Sequence, residues 1–481
     1  MQKFEASKSH YSISSMRTVF DPMRLAAVAL DVLASGRAAP EAIVARQKFR
    51  LTRLLDATVR GSSLYRERLQ GLALASTPLR ALPVLDRAEL IERFDDWVTD
   101  PELKLTELRA FTADATRIGE PYLGKYLVWE SSGTSHVAGV FVQDAPALAV
   151  YDALEALRRS TPRPLQRWLD PMLLAERIAF VGATTGHFAS MVSMQRLRQL
   201  NPFMAQSLRC FSILQASGAL IDELNTFAPT VIATYPTVAA LLADLAAQGA
   251  LHFKPKEIWT GGETLSPAVR RHVEQVLGCV VRNSYGASEF MSIGWECGHG
   301  QMHANTDWLI LEPVDAKGQP VPLGQASHST LLTNLANFVQ PLIRYDMGDQ
   351  ITLHPERCEC GSSLPVIEVR GRRDDPLLMA GQDGRQVTLL PLALTTVLEE
   401  EAGVFDFQLR QQDDHTLVLR LDLQGADATA AAARCVNALE QFAVAQGLAR
   451  LRILTELGRP VPRGRSGKPQ RVVAQRQGKR H

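Results

Sequence analysis

The chain has 481 residues, too many for one ordinary core, and its 46% apolar and 21% charged residues are the composition of a globular protein with two or more domains. Its 52 basic and 51 acidic side chains leave a net charge of +1, which excludes a basic field for nucleic acid or an anionic membrane surface. Six cysteines in this length exclude a disulfide scaffold, and the cytoplasm is the expected location.

In chain order, residues 1–20 are polar and Ser-rich and read as a loose leader. The apolar run Leu25–Gly36 carries Asp31, is too short to cross a bilayer, and lacks the basic flank of a signal peptide. It reads as an amphipathic helix, one of two or three over 22–70, with "ARQKFRLTRLLDATVRGSSLY" at helical spacing. A further helix begins at Asp86, with Glu89 three residues on as in a capping box. The middle of the chain alternates short apolar runs with helical segments: "IAFVGATTG", "TVIATYPTVAALLADLAAQG", "EIWTGGETLSPAVRRHVEQVLG", "VVRNSYGASE". Such alternation predicts βαβ units and an α/β sheet. Over 305–370 the texture shifts to Pro, Gly and alternating strands, a β-rich subdomain. After "VRGRRDDPLLMAG" come a helix near 390–402, the strand pair "FDFQLRQQDDHTLVLRLDL", an Ala-rich helix near 427–446, the strand "RLRILTE" and a basic tail. The expected organisation is therefore an N-terminal helical segment (1–80), a large α/β domain (81–371) and a small α+β domain (372–481).

The segment "ESSGTSHVAG", Glu130–Gly139, offers hydroxyls and backbone N–H groups suited to phosphate oxygens, but Ser135 and His136 stand where such loops usually continue to Gly and Lys. Downstream, in order, stand "GGE" (261–263), "SYGASE" (284–289), "PLIRYDMGD" (341–349), "CECG" (358–361), "GRRDD" (371–375) and "SGKPQR" (466–471). This ordered set resembles the adenylate-forming superfamily of acyl-CoA synthetases, adenylation domains and luciferases, over residues 80 to 475. Within it the short "SSGTS", the phrase "PLIRYDMGD" and the "CECG" resemble the phenylacetate-CoA ligase branch. The segment "VGATTGHF" and the long helical start are similar to its capsule-biosynthesis and deazaflavin-adenylating members.

The resemblance implies attack of a carboxylate on the α-phosphorus of ATP, then transfer of the acyl group to the CoA thiol. Adenylyl transfer to a hydroxyl or amine, and a non-catalytic member, are the alternatives. The resemblance assigns Ser131, Ser132, Gly133 and Thr134 to the phosphates, Gly261, Gly262 and Glu263 to the adenine side, and Tyr285 and Gly286 to the base. Ser288 goes to the α-phosphate, Glu289 to Mg²⁺, Asp349 to the ribose hydroxyls and Arg372 to the nucleotide. Lys468 is the catalytic cation carried by the small domain, with Asp374 as the hinge about which that domain turns. His136 is a candidate substitute for the missing loop lysine. Arg344 supports its strand. His187, Phe188 and Tyr235 are expected to line the acid pocket, and one imidazole beside aromatic rings favours a planar acid.

Cys358 and Cys360, with Cys297 and one of His299 or His303 some 60 residues earlier, make a Cys₃His donor set for a structural zinc, His303 being preferred. Cys210, Cys279 and Cys435 read as core. The expected partners are a small carboxylic acid, ATP and CoA, with neither nucleic acid nor stable membrane insertion; a homodimer is the one protein assembly considered.

Overall fold

The computed structural model describes residues 19–85, 87–131, 139–159, 169–170, 173, 175–263, 265, 267–370, 377–382, 384–389, 391–404, 407–462 and 471–474. Ser132, Gly133, Thr134, His136, Arg372, Asp374 and Lys468 lie outside these residues, as does the capping residue Asp86.

Three helices open the chain, Pro22–Ser35, Pro40–Gly61 and Ser63–Arg68. The first starts where Asp21 accepts from the Arg24 N–H at 2.9 Å and Pro22 supplies a fixed φ at the first turn. It is held down by a buried cluster, in which Asp307 Oδ2 accepts from Arg158 at 2.6 Å and from the Ser35 hydroxyl at 2.6 Å. The Arg50 guanidinium lies 3.5 Å from the Trp308 ring centre and pairs with Asp31. The N-terminal helices therefore share one core with the β-rich part of the chain.

A hairpin of β1 (Leu127–Glu130) and β2 (Val140–Gln143) precedes the central sheet. That sheet contains β3 (Ile178–Gly182), β4 (Leu208–Ser212), β5 (Val231–Thr234), β6 (Glu257–Thr260), β7 (Val280–Ala287), β8 (Phe290–Glu296) and β9 (Met302–Ala304). The order is β4-β3-β5-β6-β7-β8-β9, parallel as far as β7 and antiparallel beyond it. This is the α/β arrangement that the alternating pattern predicts. Because side chains alternate along a strand, the sheet has two distinct faces. On one, Ala179, Val181, Ile232, Ile258 and Val281 pack in a large core with Val238, Leu242 and Val273 from helices Pro236–Ala247 and Pro267–Leu277. On the other, among the described residues, Ile178, Leu208 and Val231 form a smaller buried cluster with Met194 and Trp259 against it, while β8 adds Phe290 and Ile293 to the core that includes helix Ala145–Arg158.

The β-rich part follows. Strands β10 (Leu309–Val314), β11 (Ser329–Asn334) and β12 (Tyr345–Asp346) form one antiparallel sheet, and β13 (Gln350–Leu353) pairs with β14 (Ile367–Arg370). Arg344 supports this region: its guanidinium lies 3.1 Å from Glu312 and donates to the Leu82 carbonyl at 2.6 Å. Next come the hairpin β15 (Leu377–Ala380) and β16 (Gln386–Leu389), then β17 (Phe407–Gln411), β18 (Thr416–Leu421), β19 (Arg452–Leu457) and β20 (Val472–Val473). Helices Pro391–Glu400 and Gly425–Ala445 back the sheet β19-β18-β17-β20. The basic tail thus returns as a strand parallel to β17, which the sequence pattern does not show. This C-terminal part touches the central unit: Gln446 donates to the Gln215 carbonyl at 3.0 Å, and Glu400 accepts from Thr185. Cys279 and Cys435 are buried and Cys210 is half-buried, as core cysteines should be, and burial pushes each thiol up to about 11.

Candidate active site

A cavity of about 1760 Å³ lies at the C-terminal ends of the parallel strands, where open α/β sheets hold ligands. The quoted motifs converge on it although they are far apart in the chain. Ser131 follows β1; Gly261, Gly262 and Glu263 follow β6; Tyr285, Gly286, Ser288 and Glu289 end β7; Asp349 follows β12. All of these line the cavity, as does Arg471 at the end of "SGKPQR".

The residues flanking "SGTSHVA" are pinned together. The Ser131 N–H donates to the Gly139 carbonyl at 2.9 Å, and the Gly139 N–H donates to Ser131 Oγ at 3.0 Å. Ser131 Oγ also accepts from Arg87 Nη2 at 2.6 Å. Arg87, the first residue of helix Arg87–Glu92, therefore sets a guanidinium at the mouth of a loop that has no lysine of its own. Sequence reading missed it because one arginine of a helical turn carries no motif.

Two phenol–carboxylate pairs lie across the cavity. Tyr345 donates to Glu289 Oε1 at 2.9 Å, and Tyr285 donates to Asp349 Oδ2 at 2.7 Å. Burial first, and then the facing carboxylate, pushes both phenols well above their ordinary value, so both stay protonated donors. The Glu289 main chain is fixed as well, its carbonyl accepting from Asn334 at 3.0 Å, while Trp129 donates to the Ser288 carbonyl at 2.9 Å. Gly286 is required by packing, since a Cβ there would stand 2.0 Å from the Met291 carbonyl oxygen across the β7–β8 hairpin. Gly262 has φ +79°, a left-handed conformation natural to glycine, and lies against the Tyr235 ring.

Phe188 and Tyr235 line the cavity, but His187 does not. Its ring is 1% exposed, contacts the Asp114 carbonyl at 3.0 Å and packs edge-on to Phe111. The expectation of an imidazole in the acid pocket is corrected accordingly: one strand step from Phe188, the His187 side chain turns into the core, while its carbonyl accepts from the Glu130 N–H at 2.7 Å. Tyr235 is pushed up to about 12 by burial and stays neutral.

Apart from this cavity, Cys297, His303, Cys358 and Cys360 come together, with their donor atoms all within 4.8 Å of one another. Cys297 Sγ is 3.7 Å from Cys358 Sγ, and Cys360 Sγ is 3.4 Å from His303 Nε2. His303 Nδ1 faces the Leu364 carbonyl at 2.8 Å, and the ring stacks on Trp295 at 5.1 Å. An Nδ1–H donated to that carbonyl leaves Nε2 as the lone-pair nitrogen toward the thiols, the orientation a metal-binding imidazole takes. Burial lowers the His303 pKa and favours the neutral ring. Burial, then the neighbouring Cys358 and Cys297, raises the Cys360 thiol to about 11. Three thiols and an imidazole gathered in this way fit a tetrahedral Zn²⁺. His299 is outside the set.

No family model matches the chain. Among curated proteins, the phenylacetate-coenzyme A ligase of Thermus thermophilus is 29% identical over 202 residues, 39% of this chain and 44% of that protein. Protein CapK of Staphylococcus aureus is 29% identical over 212 residues, 42% of this chain and 43% of that protein. The matched stretches thus span less than half the length of these relatives. Among solved structures, 2-hydroxyisobutyryl-CoA ligase with 2-HIB-AMP and CoA in the thioesterification state has a TM-score of 0.57 at 19% identity, covering 92% of this chain and 91% of that one. This is the fold of the adenylate-forming enzymes. An open conformation of the same ligase gives a TM-score of 0.50 at 18% identity, over 89% of this chain and 90% of that one. The relatives and the adenylate-forming fold agree with the family that the ordered motifs resemble. Among the described residues, no helix is long and apolar enough to cross a membrane.

Proposed function

We propose that the protein is an AMP-forming acid:CoA ligase. The observation that carries this reading is the convergence on one cavity of Ser131, Gly261–Glu263, Tyr285–Glu289 and Asp349, from four separate stretches of chain. The curated relatives named as CoA ligases, and the ligase structure holding an acyl-AMP and CoA, support it.

In the first half-reaction a carboxylate oxygen bonds to the α-phosphorus of ATP, the bond from that phosphorus to the bridging oxygen breaks, and pyrophosphate leaves with its electron pair. Catalysis of such a step is positioning plus stabilisation of charge on phosphate oxygens. Ser131, Ser132, Gly133 and Thr134 hold the leaving phosphates. Arg87 adds a cation at the loop mouth, alone or with His136. Glu289, oriented by Tyr345, would hold Mg²⁺, which neutralises phosphate charge when bound. Asp349 takes the ribose hydroxyls, Tyr285 and Gly261–Gly262 face the base with Glu263 beside them, Ser288 binds the α-phosphate, and Arg372 reaches the nucleotide. Lys468 supplies the catalytic charge from the small domain. Rotation about Asp374 then lets the CoA sulfur attack the acyl carbonyl, with AMP leaving and the thiol proton released. Phe188 and Tyr235 border the acid.

Cys297, His303, Cys358 and Cys360 would hold a structural zinc that ties the β8–β9 turn to the 358–364 loop. Free cysteines fit a reducing compartment, so the cytoplasm is the proposed location. A homodimer remains the assembly to check, by light scattering. The test of the main reading is pyrophosphate release over a panel of acids, followed by thioester formation on adding CoA. AMP retained on a hydroxyl or amine product instead would move the protein to adenylyl transfer, and tight folding with no ATP turnover on any acid would make it a non-catalytic member.

A further inference from the structure

Among the described residues, the small cluster of Ile178, Leu208 and Val231 on β3, β4 and β5 lies beside the cavity, and the neighbouring apolar side chains on that side line it. Interiors are close-packed, so apolar side chains that line a cavity instead of meeting other side chains are free to meet a ligand. On the face opposite the large core, Phe180, Ala233 and Trp259 stand side by side in register on β3, β5 and β6. All three line the cavity rather than a helix interface. Phe180 and Trp259 stand on strands either side of β5, two strand spacings or about 9.6 Å apart along the backbone, with the Phe180 ring lying over Gly182 and the Trp259 N–H donating to Glu257 at 3.0 Å. Ala233 forms the floor between them. The cavity runs from Tyr235, just past β5 and beside Gly262 at the nucleotide end, over Ala233 to the level of Ile178 and Leu208 on β3 and β4, which also line it, about 13 Å for four residue steps. Met194 and Leu197, from helix Ala189–Leu200, line the opposite side of the cavity. The charged groups nearby are already matched: Arg159 pairs with Glu155 at 2.5 Å and lies over the Trp259 ring at 4.1 Å, and Arg196 pairs with Asp152 at 2.8 Å.

We propose that the acid used by this site carries an extended apolar tail, of the length of dodecanoate rather than of a single ring, lying along β5 between Phe180 and Trp259. The inference rests on the ligase reading for the fate of the carboxylate, but the tail channel stands on packing alone. The carboxylate reaches the α-phosphate beside Tyr235 and Gly262, and the tail runs away from the nucleotide. A one-ring acid would leave most of this apolar face uncovered. A planar acid, expected from an imidazole in the pocket, loses that support because His187 points into the core.

The experiment measures acid-dependent pyrophosphate release and, separately, calorimetric binding of the free acid, for butyrate, hexanoate, decanoate, dodecanoate and phenylacetate. Each methylene that enters an apolar channel should raise kcat/KM about fourfold. Ala233→Leu fills the floor and is expected to lower kcat/KM for dodecanoate by tenfold or more, with butyrate changed less than threefold and the KM for ATP unmoved. Retained butyrate turnover shows that the variant is folded. Met194→Ala widens the channel and should move the optimum to longer acids. The proposal is overturned if phenylacetate is the best acid and neither variant changes the length profile; the ligase reading would then stand without it. If dodecanoate binds the parent protein and not Ala233→Leu while no acid releases pyrophosphate, the channel is supported and the ligase reading falls.

Discussion

Arg87 and Ser131 pair at the neck of the proposed phosphate loop, which has no lysine. The guanidinium donates to Ser131 Oγ at the neck of the loop. Arg87→Ala is expected to lower kcat/KM for ATP by roughly ten- to a hundredfold, the loss of a hydrogen bond to a charged group, with the KM for the acid little changed. Arg87→Lys should recover part of it. Steady-state kinetics with ATP varied decide the matter, and an unchanged ATP dependence would reduce Arg87 to a pin for the loop. The cysteine cluster gives a second prediction at this scale. The purified protein should carry about one zinc per chain by elemental analysis, in keeping with one tetrahedral set. Cys358→Ser should remove the metal and lower the melting temperature. Protons compete with zinc for the three thiols, so acidification should release the metal and alkaline pH should retain it. Metal content that ignores both the substitution and pH would sink the site.

At the scale of elements, the β7–β8 hairpin is the part most exposed to a single change. Gly286→Ala puts a methyl against the Met291 carbonyl in the middle of the segment that carries Tyr285, Ser288 and Glu289. A loss on the order of 3 kcal/mol is expected from such overpacking, read as a lower midpoint in urea, together with loss of nucleotide binding. An unshifted midpoint would mean that the hairpin relaxes at no cost. Much of this level was legible in the sequence. The alternation of apolar runs and helices marks the parallel strands, and the cysteines stand out because few residue types bind metals. What stayed hidden has physical reasons. A two-residue strand such as β20 has no periodicity to detect. His187 and Phe188 look equivalent in sequence, yet consecutive residues entering a strand bridge point to opposite sides, and only one meets the cavity. Phe180 and Trp259 have the composition of core residues, and no pattern separates an apolar residue that meets a helix from one that meets an empty channel.

For the molecule as a whole, the proposed cycle needs the C-terminal part to occupy two positions, and only one of them uses Lys468. Lys468→Ala is expected to slow acyl-AMP formation by about 10²–10³, by analogy with removal of one preorganised donor at a charge-developing centre. Thioester formation from supplied acyl-AMP should survive largely intact. Separate assays of the two half-reactions check this, and equal loss in both would argue against a cation that works in one position only. The contacts of Gln446 with Gln215 and of Glu400 with Thr185 are among those such a rotation would have to break and remake.

The apolar lining of the cavity beside the central sheet also has a thermodynamic consequence for the chain before any ATP arrives. A ligand that binds the folded state alone adds RT ln(1 + [L]/Kd) to its stability, about 2.7 kcal/mol at a hundredfold excess over Kd. In the proposed channel, the acid would cover Phe180, Ala233 and Trp259 and so add to the buried interior. The cognate substrate should then announce itself in a melting curve, as the compound in a mixture of acids that raises the midpoint of the nucleotide-free protein.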